Sequence, residues 1–262
     1  MMAEKVAMPP RRRGVAGLGL VTALILALLL GLGFWQLQRR VEKHALIAAL
    51  TERLAAAPGP LPSVSQWSRL TPAHDEFRRV HFSATFDPAP DAMVYSSGSA
   101  VRPDISGPGT WAFMPAQLAE GETIVINAGF ARNTMQDRAL EDRVVTPLIT
   151  GAPVTLTGYL RFPEAAGLLT PRENLKLRLW FTRDHLEMAQ KLGWGRAGHV
   201  APFYVDLESP VPGSGIPLPG PLEVHLKDDH LQYAITWFGL AGAVIITFGA
   251  WLFGQRHARF GP

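Results

Sequence analysis

The stretch that decides the fold reads DHLQYAITWF and covers residues 229–238. It places His230 at the start of an apolar segment, because residues 231–253 carry no formal charge over 23 positions. A helix needs about 20 apolar residues to cross a bilayer, so this segment is long enough to span one. An ionisable group at such a boundary is costly unless it has a partner or a task. His230 is therefore the first candidate for a functional residue.

One face of this predicted helix carries the candidate site. Positions three, four and seven apart share a helix face, and the rise per residue separates His230 from Trp237 by roughly 10 Å along the axis. Two interpretations are open: a flat apolar ligand lies across the face with the imidazole as its nitrogen ligand, or the face makes an ordinary helix–helix contact below an aromatic belt. The members of the face are His230, Tyr233, Ala234, Trp237, Ala241 and Phe248.

A second uncharged run lies near the start of the chain. It covers residues 14–38, which is 25 positions, and follows arginines at 11–13. A secretory signal has a shorter apolar core and a cleavage site flanked by small residues, whereas this run ends in GFWQL at residues 33–37. It is also too long for a twin-arginine export signal. We predict an uncleaved membrane anchor.

The two runs predict the domain organisation. With two spans, both tails lie on one side of the membrane and the middle of the chain on the other. The tails hold six Lys and Arg residues and the inner flanks hold five, which favours cytoplasmic termini only weakly. The predicted segments are a cytoplasmic tail (1–13), a transmembrane helix (14–38), an extracytoplasmic domain (39–229), a second transmembrane helix (230–253) and a cytoplasmic tail (254–262).

The middle of the chain has the pattern of a β-rich domain. Helical periodicity continues from the first span over residues 39–57 and stops at the PGP of residues 58–60. Beyond it, short alternating runs separated by turn residues such as Gly121 favour antiparallel connections and a small barrel or sandwich. The fold class is therefore an α+β membrane protein, with two transmembrane helices flanking this domain. We predict strands at 78–86, 91–97, 110–115, 123–131, 154–162, 177–181 and 202–207, and a short helix at 184–192.

Composition and motifs exclude several classes of function. The chain has no cysteine, so it has neither disulfides nor thiolate metal sites. It contains no nucleophile elbow, phosphate-binding loop, dinucleotide fingerprint or His-Glu-x-x-His motif, so no enzyme class is indicated. The net charge of +3 arises largely from basic residues at the membrane flanks, which favours contact with lipid headgroups and not with nucleic acid.

Polar residues next to His230 leave two further alternatives. Asp228 and Asp229 cap the helix, by accepting hydrogen bonds from its first N–H groups, or orient the imidazole and fix its tautomer, or do both. His225, five residues before His230, is a candidate second ligand in a two-histidine metal site.

Several segments, in chain order, resemble one family. They read GFWQLQRR at residues 33–40, GPGTW at 107–111 followed by IVINAGF at 124–130, PFYVD at 202–206 and HLQYAITWF at 230–238. The chain resembles, over its whole length, the surfeit locus protein one family of assembly factors for haem-copper cytochrome oxidase. It departs from the family at Ala128 and Phe130, where Arg and Trp are frequent, and at Asp228-Asp229, where an Asn pair is frequent. These departures indicate a divergent branch.

The resemblance implies a function for the face that contains His230. Bacterial members are implicated in binding haem a and in helping to place it in the oxidase catalytic subunit, which implies a chaperone and not an enzyme. Their haem-associated histidine and tryptophan correspond to His230 and Trp237, and Tyr233 lies on the same face. His230 would then supply the axial nitrogen to the haem iron, and Trp237 would pack against the macrocycle. Basic residues at the level of the haem propionates are Lys227, Arg39 and Arg40.

The resemblance also implies a location and partners. It implies an integral membrane protein whose β-rich domain lies outside the cytoplasm. The short leader before residue 14 contains a glutamate and is a poor mitochondrial transit peptide, so we expect a bacterial inner membrane, with both termini cytoplasmic and the central domain periplasmic. The expected partners are the oxidase catalytic subunit, haem a synthase and membrane lipid. The alternative function is a membrane-anchored scaffold that holds oxidase subunits without binding haem, and a membrane-anchored periplasmic enzyme ranks third.

Small residues four positions apart offer surfaces for close helix contact. Ala27 and Gly31 form such a pair in the first span, and Gly239 and Ala243 form one in the second. They either join the two spans or form a docking face for an oxidase subunit.

Overall fold

The computed structural model describes residues 12–99, 101–132, 138–196, 198–223 and 228–260, without the side chains of residues 12–16, 140, 141 and 256–260. The chain divides into two compact units, one drawn from Met1–Leu46 and Lys227–Pro262 and the other from Ile47–Leu226. The α-helices in the described part are α1 (Arg12–Ala55), α2 (Pro72–Asp75), α3 (Arg138–Val145), α4 (His185–Leu192) and α5 (His230–Phe260).

The strands lie between α1 and α5 in the sequence and are 2 to 12 residues long. Two short 3₁₀ helices, Val64–Arg69 and Thr146–Leu148, lie in the same part of the sequence. The strands are β1 (Gly59–Pro60), β2 (Arg79–Phe86), β3 (Ala92–Gly98), β4 (Ser106–Gln117), β5 (Thr123–Arg132), β6 (Val154–Arg161), β7 (Leu179–Trp180) and β8 (Val200–Ser209).

The two long apolar helices that the sequence predicts are present: the first unit contains α5 and the part of α1 up to Leu46. The stretch Gly17–Ala55 of α1 and the stretch His230–Gln255 of α5 are each long and apolar enough to cross a membrane, by length and composition. The helix predicted at 39–57 is continuous with the first span and ends at Ala55, shortly before the PGP of residues 58–60.

The two helices approach closely where α1 carries a glycine. A Cβ built on Gly33 would lie 2.6 Å from Cε1 of Phe238, so any larger residue there would require the ring to shift. Phe34 adds an edge-to-face ring contact with Phe238, with centroids 5.4 Å apart. On α5, Ala234 and Ala241 are each 1% exposed, as expected where helices pack on small residues.

The small-residue pairs, for which joining the spans was one of two alternatives, do not make this contact. All four of those residues are exposed, and a Cβ on Gly31 or Gly239 would meet no atom within 4 Å. The prediction that they join the two helices is wrong, because the face of α1 that meets α5 is rotated towards Gly33.

Replacing Gly33 by alanine is expected to push α1 and α5 apart near Phe238. The added methyl group overlaps a ring held between two helices, and such overpacking typically costs about 1–3 kcal/mol. Because the chain has no cysteine, spin labels on single cysteines introduced at Leu24 and Ile246, both exposed, can report the separation. We expect a longer distance between the labels in G33A.

Two variants control for the helix propensity that alanine adds. Gly31→Ala makes the same chemical change in open space and should leave the distance unchanged. Combining Gly33→Ala with Phe238→Ala removes the ring and should restore the wild-type distance between the labels. An unchanged distance in the single variant at Gly33 would contradict the close contact.

The second unit contains one eight-stranded sheet. Its order is β1-β2-β6-β8-β5-β4-β3-β7, and an additional pairing joins β2 to β4. The pairings therefore form a closed circuit through β2, β6, β8, β5 and β4, and β1, β3 and β7 lie outside that circuit. The hairpin predicted around Gly121 is confirmed, since β4 and β5 pair antiparallel and Gly121 has a φ of +90°.

The sequence led us to expect antiparallel connections, but some of the strand pairings are parallel. The pairings β2–β6, β3–β4, β4–β5 and β6–β8 are antiparallel. The pairing of β5 with β8 is parallel, as are the short pairings of β1 with β2 and of β3 with β7. A parallel pair needs a long crossover, and here α3, β6, β7 and α4 separate β5 from β8 in the chain.

A cluster of buried charges centres on Arg161 of β6. Its guanidinium donates to Oδ2 of Asp206 at 2.8 Å and to Oε1 of Glu76 at 2.6 Å, and it lies 4.7 Å from the centre of the Phe77 ring. Asn127 donates to the other oxygen of Asp206 at 2.6 Å. Burial alone would lower the pKa of Arg161, but its neighbours, the two carboxylates among them, outweigh burial and raise that pKa. Arg161 is therefore charged at any physiological pH.

Candidate functional site

The site predicted at the start of α5 is built on a capped helix end. The backbone N–H of His230 donates to Oδ1 of Asp228 at 3.0 Å, and the carbonyl of Asp229 accepts from the N–H of Tyr233 at 3.1 Å. A carboxylate is favourable here because the first N–H groups of a helix have no partner within it. The cap interpretation of Asp228 is confirmed, and it fixes the point at which the imidazole leaves the backbone.

The imidazole of His230 is held by the other helix. Its Nδ1 lies 2.7 Å from Oε1 of Gln36 on α1, and both residues are half-buried. An amide oxygen only accepts hydrogen bonds, so Nδ1 is the donor. In a neutral imidazole, Nε2 then keeps its lone pair. The group that orients this ring is thus Gln36, and the carboxylate of Asp228, the other candidate, is used elsewhere.

Gln36 begins a row of polar residues along α1. Arg40 and His44 follow at intervals of four, which places all three on one face of the helix. Nε2 of His44 lies 2.6 Å from Oδ2 of Asp228, and Nε of Arg40 lies 3.6 Å from the same oxygen. Desolvation raises the pKa of Asp228, but hydrogen bonds from His44 and from the His230 amide outweigh it, and the pKa is lowered. Asp228 is therefore an anion that joins α1 to the start of α5.

The other residues of the predicted face separate into two groups. Ala234 and Ala241 are almost fully buried, so the helix–helix interpretation holds for them. Tyr233 is 54% exposed, and Trp237 is half-buried. Nε1 of Trp237 is inaccessible and has no hydrogen-bond partner within the described residues. The open part of the face is thus the part near His230 and Tyr233.

An apolar groove lies further along the two helices. Its volume is about 560 Å³. The nearest lining residue of α5, Leu240, is ten positions beyond His230, which is about 15 Å along a helix. The groove and the imidazole are therefore at different depths. The lining residues are Leu18, Thr22, Leu29, Leu240, Ala243, Val244, Thr247, Phe248 and Trp251.

The predicted basic residues have partners inside the protein or lie outside the described part. Arg39 pairs with Glu42 on its own helix at 2.7 Å, and Arg40 lies beside Asp228. Lys227 and His225 fall outside the described residues. Within the described residues, no group of three or more His, Asp or Glu side chains could hold a metal ion. A metal at His230 would need most of its ligands from another molecule.

The remaining family-like segments lie side by side in the sheet. Residues 107–111 belong to β4, residues 124–130 to β5 and residues 202–206 to β8, and these strands are neighbours. A Cβ on Gly109 would lie 2.4 Å from Cζ of Phe130 and 2.5 Å from the carbonyl oxygen of Ala131. Trp111 packs on Phe130 with ring centroids 5.2 Å apart. These segments therefore build the core of the domain.

The sequence reasoning missed Gln36 and His44 as site residues. Both are polar and lie on the same helical face, Gln36 near the end of the apolar run and His44 just beyond it. That spacing was the available signal. Their partners are 194 and 184 positions away in the chain, so no local pattern predicts the pairing.

The molecule is thus a strand-rich domain between two long apolar helices, with a histidine oriented where the second helix begins. The SURF1 family model matches residues 23–242. Surfeit locus protein 1 of Rattus norvegicus is 30% identical over 224 residues, which cover 81% of this chain and 68% of the relative. The human protein of the same name is 30% identical over 237 residues, 85% of this chain and 73% of the relative.

A bacterial relative matches over a similar range. The SURF1-like protein of Rickettsia bellii is 27% identical over 233 residues, which cover 87% of each chain. The chain belongs to the SURF1 family.

Proposed function

We propose that this protein is an assembly factor for haem-copper cytochrome oxidase that binds haem a and assists its insertion into the catalytic subunit. The observation that carries the proposal is the hydrogen bond between Nδ1 of His230 and Gln36, which leaves Nε2 available as an axial ligand. Metal-ligating histidines almost always donate their other N–H to an acceptor in this way. That the group bound there is haem a is inferred from the family resemblance.

The side chains around His230 suit a flat apolar ligand. Tyr233 is exposed one turn from the imidazole, and Trp237 is half-buried two turns away. Because Ala234 and Ala241 are buried, the ligand would bind on the side that α1 leaves open. Tyr233 and Trp237 would flank it there. When bound, haem a would supply an iron to which His230 could give a nitrogen ligand, and a single protein ligand is consistent with later release.

The same proposal includes the membrane arrangement and the partners. The two apolar helices would cross a bacterial inner membrane with cytoplasmic termini and a periplasmic domain, and the closed circuit of strand pairings favours a small barrel. The partners would be the oxidase catalytic subunit, haem a synthase and lipid. The protein would make and break no covalent bond, so it would not be an enzyme.

The test is the visible spectrum of the protein purified from cells that also synthesise haem a. We expect the wild type to carry haem a and the variant His230→Ala to lose most of it. Without its axial ligand, haem keeps only apolar contacts with the protein. Tyr95→Phe, a change in the other unit, is a control that should retain haem. Equal haem content and band positions in wild type and His230→Ala would overturn the assignment.

A scaffold that holds oxidase subunits without haem is the second candidate. It is favoured by the faces around Gly31 and Gly239, which are exposed and have open space beside them, since small residues on a membrane helix allow another helix to approach closely. A wild-type protein that co-purifies with oxidase subunits but contains no haem would support the scaffold.

A further inference from the structure

We propose that Gln36 is a positioning residue, which holds His230 in the tautomer with the proton on Nδ1 and thereby presents Nε2 to a metal. The inference rests on the proposed function for the identity of that metal, the iron of haem a. The end of the first span would then do more than anchor the protein, because it would also orient the histidine that binds the metal.

The geometry fixes the direction of the hydrogen bond. Oε1 of Gln36 and Nδ1 of His230 are 2.7 Å apart, a distance at which two lone pairs would repel each other. The amide oxygen has no proton, so the imidazole provides it. A neutral imidazole has one N–H, and Nε2 is consequently an acceptor.

Asp228 and Arg40 do not substitute for Gln36. The carboxylate of Asp228 accepts from the N–H of His230 and lies 2.6 Å from His44. Arg40 lies beside the same carboxylate. Gln36 therefore makes the hydrogen bond that sets the tautomer, while Asp228 sets the position of the backbone.

A neutral acceptor suits a carrier at a membrane boundary. A carboxylate in the place of Gln36 would have to be desolvated there, which is costly, and it would make the imidazole a more basic ligand. An amide fixes the tautomer and raises the basicity less. The metal bond is then weak enough for the haem to be passed on.

The experiment begins on the full-length protein without haem, labelled with ¹⁵N-histidine in lipid nanodiscs. Nitrogen NMR distinguishes protonated from unprotonated ring nitrogens, and His230→Ala assigns the signals. We expect Nδ1–H in the wild type and in Gln36→Glu, which keeps the acceptor. In Gln36→Leu, the Nε2–H form should become the major one. Gln38→Leu is the control, because Gln38 is exposed on the same helix and bonds only to Glu42 among the described residues.

Haem titration of the wild type and of the three glutamine variants gives the second readout. Loss of a hydrogen bond behind a metal-ligating histidine typically weakens binding about 10–100-fold, so we expect such a loss for Gln36→Leu and none for Gln38→Leu. Gln36→Glu should bind at least as tightly as the wild type.

The two readouts separate this inference from the proposed function. An Nε2–H tautomer in the wild type, or an unchanged tautomer in Gln36→Leu, would overturn the positioning role. If the tautomer depends on Gln36 but no variant and no wild-type sample binds haem a, the control of the ring by Gln36 is supported and the haem-carrier function is overturned.

Discussion

Replacing Arg161 by methionine is expected to lower the free energy of unfolding of the strand-rich domain by about 3–5 kcal/mol, the usual cost of removing one partner from a buried ion pair. Methionine fills much of the space but leaves the carboxylates of Asp206 and Glu76 without the cation that both contact. Asp206 is only 5% exposed, so water cannot replace the guanidinium. Thermal and denaturant unfolding of the full chain, followed by tryptophan fluorescence, would measure the loss.

A matched control removes a cation from a more exposed cluster in the same domain. Lys191 contacts Glu173 at 2.5 Å and Glu187 at 2.6 Å, but its side chain is 30% exposed. Lys191→Met should cost less than about 1 kcal/mol, as surface ion pairs do. Adding Asp206→Asn to Arg161→Met removes one stranded charge and should recover part of the loss. A loss for Arg161→Met no larger than for Lys191→Met would show that the buried cluster does not stabilise the fold.

Replacing Gly129 by alanine is expected to cost about 2–4 kcal/mol, because strained backbone and overpacking act together. Gly129 has a φ of +128°, which side chains rarely tolerate, and a Cβ there would lie 2.4 Å from the carbonyl carbon of Leu218. That neighbour is backbone, and it is held in place because Phe130 and Leu218 exchange two hydrogen bonds, at 3.1 and 2.8 Å. It cannot move without breaking this bridge.

Gly121 provides the comparison for the variant at Gly129. It also has a positive φ, of +90°, but a Cβ there would meet no atom within 4 Å. Gly121→Ala should therefore show the backbone cost alone, about 1–2 kcal/mol, and a smaller fall in Tm than Gly129→Ala. Equal falls in Tm would contradict the close approach of the segment around Leu218.

Much of the fold follows from local patterns in the sequence. The charge-free runs predict the two long helices, because their length and composition are sufficient for a membrane span. Alternation predicts strands such as Arg79–Phe86, and Asp184 correctly marks the start of α4, since its carboxylate accepts from the N–H groups of residues 186 and 187. Each of these signals involves residues close together in the chain.

Other features depend on contacts between distant residues and were not predictable. The helix Arg138–Val145 was missed, because half of the sequence RALEDRVV is charged and its apolar face is short. The strand predicted at 177–181 is only Leu179–Trp180. The parallel pairing of β5 with β8 joins residues such as Val125 and Tyr204, and no turn motif links them.

The candidate site was predicted only in part, because it too depends on contacts between distant residues. A helix face and a family resemblance indicate His230, and the structure places it where α5 begins, with its imidazole held by Gln36. The orientation of the face was only partly predictable. Ala234 and Ala241 are buried, and whether they meet a ligand or another helix depends on how α1 is rotated, which Gly33 and Phe238 determine.

The most direct test of the account is pulsed electron paramagnetic resonance of the protein reconstituted with ferric haem a. If Nε2 of His230 binds the iron, the spectrum contains the coupling of a histidine nitrogen, which changes on ¹⁵N-histidine labelling and disappears in His230→Ala. A histidine coupling that persists in His230→Ala, or a haem-loaded wild type in which labelling changes nothing, would show that the iron is held elsewhere.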